Sequence, residues 1–174
     1  KEHVKILFKQ MCLFINWLHN AKICHLDISL ENLSIKGCEF ENGKFISHGQ
    51  IYFIDYGVAT YFGNSKTFDN CTLFVGKESY QSPKLYDNKP FNASKADIWS
   101  IGVVLFMMLI GGQPFRKPNK SDLMFCNIIG GYLPQWLKDL KMDHYMDNHF
   151  HELFGKIFCH ENDRITIANL VKIL

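Results

Sequence analysis

The stretch that decides the fold runs His25-Leu26-Asp27-Ile28-Ser29-Leu30-Glu31-Asn32-Leu33-Ser34-Ile35. Its first part is short and polar, and Leu33-Ser34-Ile35 at its end reads as a brief strand. Gly37, Gly43 and Gly49 punctuate the polar residues that follow, and Ile51-Tyr52-Phe53-Ile54 reads as a second strand ending at Asp55. The pattern predicts a small β-hairpin with a long tip, with Asp27 just before it and Asp55 at its end. Such a hairpin gathers two carboxylates and the Asn32 amide, oxygen donors suited to a divalent metal and to phosphate. Taken singly, Asp27 and Asn32 read as turn or helix-cap residues.

Outward from this stretch, the chain is helical. Before it, Val4, Leu7, Phe8, Met11, Phe14, Ile15 and Leu18 recur at steps of three and four, which predicts a helix over 4–20. After it, residues 55–84 show no period and hold Gly57, Gly63, Gly76 and Pro83, which predicts a long mobile loop of functional kind. Asn92 or Ser94 caps the next helix, about 94–110, which Gly111-Gly112 ends. Further helices are expected from Ser121 or Asp122 to about Ile129, from Asn148 to Phe158, and from about Thr166 onward. The fold class is therefore mainly α with a small β-hairpin, in one domain over residues 1–174.

Composition sets bounds. The chain is 47% hydrophobic and 21% charged, which is globular rather than disordered. A net charge of +2 without a dense Lys/Arg cluster argues against nucleic acid as a partner. Six cysteines stand apart with no Cys-x-x-Cys pair, which argues against zinc and for reduced thiols in a cytoplasmic setting. No leader of signal-peptide type precedes the first helix, although the chain opens on Lys1 rather than Met. The apolar run Ile98–Ile110 is broken by Ser100 and Gly102 and is short for a membrane span. It is expected to be a buried central helix.

Five motifs, in order, now carry a resemblance. His25-Leu26-Asp27 with Asn32 resembles the catalytic loop of eukaryotic-type protein kinases (25–32). Asp55-Tyr56-Gly57 resembles their Asp-Phe-Gly motif, and Gly76 to Lys84 resembles the end of their activation segment (55–84). Asp97-Ile98-Trp99-Ser100-Ile101-Gly102 resembles the central-helix signature, and Asn162-Asp163-Arg164 the Arg-bearing loop before the last helix. The resemblance spans essentially all residues and implies the C-terminal lobe of a kinase. It implies that Asp27 orients the substrate hydroxyl and accepts its proton, and that Asn32 and Asp55 hold Mg²⁺ against the phosphates of ATP. It also implies scaffold roles for His25 and Tyr56, stacked in the core, and for Asp97, accepting backbone N–H bonds from the catalytic loop.

The departures are as informative. Leu26 replaces the Arg that pairs a loop phosphate, so phosphorylation at Thr67 or Thr72 is not expected to be the on-switch. Ser29 stands where Ser/Thr kinases carry Lys, and Lys77 where they carry Thr. The two side chains look exchanged, and Lys77 is expected to supply positive charge near Asp27 and the γ-phosphate. Lys84 replaces the Glu that pairs with the Arg matching Arg164, so either the loop anchors differently or Arg164 takes another partner, such as Asp163 or Glu161. Ser34 falls where a large apolar residue lies under adenine, which implies weaker ATP contact. No Gly-rich phosphate loop, Val-Ala-Ile-Lys-type Lys or partner Glu occurs, so the N-lobe is expected to be missing from this chain and the chain alone inactive. Leu26 and Ser29 are similar to residues of divergent apicomplexan kinases, including the FIKK type. The leading expectation is a Ser/Thr protein kinase acting on protein substrates; the alternative is a pseudokinase serving as a binding or scaffold module.

Overall fold

The computed structural model describes residues 1–63 and 67–174. Helix α1 (Glu2–Asn20) turns Leu7, Phe8, Met11, Cys12, Ile15 and Leu18 inward, as its period requires. Strand β1 (Ile23–Cys24) follows. Strands β2 (Leu33–Glu41) and β3 (Lys44–Phe53) form an antiparallel ribbon, and β4 (Thr60–Tyr61) pairs back on β1. The short α2 (Pro83–Tyr86) precedes α3 (Ala93–Ile110), α4 (Leu123–Ile129), α5 (Leu133–Asp139), α6 (Asn148–Ile157) and α7 (Ile167–Ile173).

Helix α3 is the centre. Asn92 caps it, its side chain accepting from Lys95 N. Trp99, Ile101, Val103, Val104 and Leu105 are wholly buried. The helix is long and apolar enough to cross a membrane, but its apolar faces are spent on the protein core. Phe115, Phe125 and Phe158 close on the Trp99 ring. Each such side chain contributes about 1.5–3 kcal/mol of burial.

The ribbon departs from the expected hairpin. Its strands reach Glu41 and Lys44, so the supposed loop over 37–49 is paired and the tip is Asn42-Gly43 alone. Both tip residues have positive φ (51° and 78°), the left-handed pair that a two-residue turn of this hand requires. Most side chains of the outer ribbon face solvent, so no apolar alternation marks it. A second difference is α5, a helix where no element was expected. The third is segment 55–84, which is tied down rather than loose in its described residues. Phe62 N donates to Lys22 O at 2.8 Å, Cys71 bridges with Phe91, and Ala93 N donates to Phe68 O.

Candidate functional site

The catalytic-loop stretch is held from behind by one buried carboxylate. Asp97 of α3, 1% exposed, accepts from His25 N at 2.9 Å, from Leu26 N at 2.8 Å and from His19 Nε2 at 2.9 Å. These bonds compensate for taking the carboxylate out of water. They also fix Leu26 in a left-handed conformation (φ 63°), a cost of roughly 1 kcal/mol for a residue with a Cβ. The Leu26 side chain is buried with Cys24, Cys71, Leu85 and Phe91, against Val58, Phe68 and Val75.

His25 is fully buried against Phe53 and Tyr56, with ring centroids 5.6 and 5.2 Å away. Burial pushes its pKa down, outweighing the upward pull of Asp97, Asp27 and Asp55. Tyr56, expected in the core beside it, is 46% exposed; its hydroxyl donates to Phe53 O at 3.0 Å, which keeps the ring at the surface.

The loop then delivers Asp27 into a cluster. Asn32 Nδ2 donates to Asp27 O at 2.8 Å and to Asp27 Oδ2 at 2.7 Å. Lys77 N donates to Asp27 Oδ1 at 3.0 Å, and Lys77 Nζ to Asp27 Oδ2 at 3.1 Å. The same Nζ donates to Ser29 Oγ at 3.0 Å. Asp27, Ser29, Asn32 and Lys77 therefore form one hydrogen-bonded set, although Lys77 lies 50 residues beyond Asp27. Gly76 makes this possible: with φ at 85°, it presses against Leu26 O so closely that a Cβ there would collide with backbone.

Asp55 arrives from the other strand. Leu33 faces Phe53 in the ribbon, and Ile54 N donates to Asn32 O at 2.9 Å, so Asp55 emerges beside the catalytic loop. It has φ of 64° and an exposed carboxylate whose Oδ1 accepts from Gly57 N. No cation pairs with Asp55 among the described residues. Asn32 turns both described amide bonds to Asp27, leaving its Oδ1 for another partner. An amide oxygen and an open carboxylate fit a hard divalent cation such as Mg²⁺. Ser34, one residue into β2, is half-buried opposite Tyr52.

The anchor of the segment is rebuilt by reversed charge. Lys84 Nζ pairs with Glu161 Oε1 at 2.6 Å, and Glu161 Oε2 accepts from Asn92 N. Of the two expected outcomes the structure shows the different anchoring of the loop, through Lys84 and Glu161, and Arg164 takes neither Glu161 nor Asp163. It donates to Ile157 O, Lys95 O and Cys159 O, with its guanidinium 4.8 Å over Trp99. Glu161 is committed to Lys84, so backbone carbonyls are what remain within reach. Burial pulls the Arg164 pKa down to about 10.

His19 is the residue that sequence reading missed. Its place four residues after Ile15 marks it for the buried face of α1. Its partner, 78 residues away, left no local trace.

A family model described as Protein kinase domain matches residues 1–173. Among curated proteins the chain is 26% identical to Sperm motility kinase 1 of Mus musculus, over 84% of this chain and 28% of that protein. It is 29% identical to Serine/threonine-protein kinase SRK2C of Arabidopsis thaliana, over 68% and 32%. It is 30% identical to Putative serine/threonine-protein kinase A of Trypanosoma brucei brucei, over 77% and 29%. The chain thus spans about a third or less of the length of these relatives.

Proposed function

The chain belongs to the protein kinase domain family, and from that membership we propose that it carries the catalytic residues for ATP-dependent phosphoryl transfer to Ser or Thr of protein substrates. The names of its relatives support the Ser/Thr class. The observation that carries the reading is Lys77 Nζ, bonded at once to Asp27 Oδ2 and Ser29 Oγ.

Phosphoryl transfer is mainly positioning and charge stabilisation. In the proposed mechanism Asp27 receives the substrate hydroxyl and takes its proton, and Asn32 fixes the carboxylate by two bonds. Lys77 brings positive charge to the same carboxylate from segment 55–84, whereas the Ser/Thr kinases that the chain resembles carry a Lys at the place of Ser29; Ser29 holds the ammonium in place. Asn32 and Asp55 are the proposed Mg²⁺ ligands, and the ion would neutralise the phosphates of ATP. Ser34 is proposed to lie near adenine with little apolar contact.

Residues 1–174 contain no Gly-rich phosphate loop, and we assign the cover over the nucleotide to a further lobe. An open apolar hollow of about 540 Å³ lined by Phe14, Trp17, Ile23, Tyr56 and Tyr61 supports additional packing beside the site. A FIKK-type affiliation rests on Leu26 and Ser29 alone.

One observation favours the pseudokinase alternative. Both oxygens of Asp27 already have partners, Lys77 on each and Asn32 on one. Three of the roughly four lone-pair sites of this carboxylate are then taken, which leaves little room for a substrate hydroxyl. The two readings separate on nucleotide binding to the protein that carries this chain. Mg²⁺-dependent ATP binding, abolished in Asp55→Asn, is expected of the kinase. Binding that ignores Mg²⁺ or survives Asp55→Asn would remove Asp55 as a metal ligand.

A further inference from the structure

A cavity of about 70 Å³ lies between the end of segment 55–84 and the loop before α7, lined by Ser82, Pro83, Lys84, Cys159, Glu161 and Arg164 among others. Its polar groups do not balance. The Ser82 hydroxyl is buried, 1% exposed, and has no partner. Arg164 is 3% exposed and has no carboxylate within ion-pair distance among the described residues. Its guanidinium has five N–H groups and three are used, on Ile157 O, Lys95 O and Cys159 O. The Lys84 ammonium uses one of its three donors, on Glu161.

Free donors outnumber free acceptors here, the Ser82 oxygen being the acceptor atom without a partner. Glu161 has one oxygen on Lys84 and the other on Asn92 N. The Cys159 carbonyl already takes Arg164. Lys95 adds a third cation beside Arg164, with its Nζ on Arg164 O, and its pKa is pulled down by burial and by Arg164. Against Lys84, Lys95 and Arg164 stand Glu161 and the exposed Asp163, leaving local charge positive. A water would bring two donors of its own and meet mostly donors, with Ser82 Oγ to accept one of them. An anion needs donors only, and buried cations want one.

We propose that this cavity binds a small tetrahedral oxyanion, inorganic phosphate or sulfate, held by Arg164, Lys84 and the Ser82 hydroxyl. The space suffices for such an ion, and Lys84, with 39% of its side chain exposed, marks the way in. The ion stands where a carboxylate on residue 84 would otherwise meet Arg164. It ties Ser82–Lys84, a stretch that begins five residues beyond Lys77, to the 159–164 loop. Gln81, next to Ser82, holds Val75 O and Gly76 O by its amide. The anchor therefore reaches the turn that presents Lys77 to Asp27.

The test is thermal unfolding of the protein that carries this chain in phosphate- and sulfate-free buffer, titrated with sodium phosphate, sodium sulfate or sodium chloride at matched ionic strength. It involves no nucleotide and no transfer, so its failure leaves the kinase reading untouched. Phosphate should raise Tm saturably, by roughly 3–6 °C at tenfold over Kd, and chloride should not. A sulfate response equal to that of phosphate marks a general oxyanion site; a smaller one marks phosphate as the ligand. Ser82→Ala should weaken apparent affinity roughly tenfold. Lys84→Glu should abolish the response by placing a carboxylate beside Arg164, and Lys84→Met, which cannot repel Glu161, should weaken it. A Tm that neither oxyanion moves, a rise that chloride reproduces, or a rise shared by all three variants overturns the proposal.

Discussion

Replacing Lys77 by Thr separates chemistry from stability. The Lys77–Asp27 pair is half open to water, with side-chain exposures of 38% and 16%. A pair that exposed contributes at most about 1 kcal/mol to folding, which for a chain of this size is roughly 2–4 °C in Tm. In the proposed reaction the same ammonium would face developing charge in a site closed by nucleotide and substrate. Removing one preorganised donor from such a site typically costs about 10²–10³-fold in kcat. Lys77→Thr should therefore lose roughly two orders of magnitude in turnover with a melting point lowered by at most about 2–4 °C. Ser29→Lys in the same chain should recover much of the loss, because Ser29 Oγ lies 3.0 Å from the vacated Nζ position. The assay is steady-state transfer to a Ser/Thr peptide by the protein carrying this chain, with melts beside it. Undiminished turnover in Lys77→Thr refutes the reasoning. So does a loss that simply tracks unfolding.

Two further outcomes follow from burial. Leu26, where a phosphate-binding Arg would stand, is buried in an apolar cluster with Cys71 of the segment and Leu85 just beyond it, so phosphatase treatment should leave activity unchanged; loss of activity would show a phosphate-dependent switch. His25 has a pKa below its ordinary 6.5 because it is buried. The unfolded chain then binds more protons between the folded pKa and 6.5, so its contribution is intact above pH 6.5 and declines as pH falls below it. Urea midpoints should drop from pH 7.5 to 5.5, and less so in His25→Phe, which keeps the ring between Phe53 and Tyr56; an equal drop in both would clear His25.

Local patterns in the sequence were legible in proportion to burial. Helix α1 declared itself because Leu7, Met11, Ile15 and Leu18 all face the core, and α3 because two thirds of its positions are buried and none is exposed. The outer ribbon did not, since Lys36 to Glu41 face solvent and carry no alternation. Its one clear signal, Asn42-Gly43, reads as loop punctuation unless flanking strands are already suspected. Helix α5 spans only 7 residues, with Leu133 and Leu137 buried, too short for a period to stand out. Within the site, Asp27 and Asn32 are fixed by spacing along one loop. Lys77 beside Asp27 followed from resemblance and from the exchange with Ser29. The Lys84–Glu161 pair joins residues 77 apart; sequence gave the clash of Lys84 with Arg164 but not which cation would win the carboxylate.

The most direct measurement is phosphoryl transfer from Mg-ATP to a Ser/Thr peptide mixture by the protein that carries this chain, beside Asp27→Asn. Transfer that disappears in Asp27→Asn while nucleotide binding persists is the expected result. Transfer undiminished in Asp27→Asn, or its absence from folded wild-type protein, would contradict a catalytic role for Asp27.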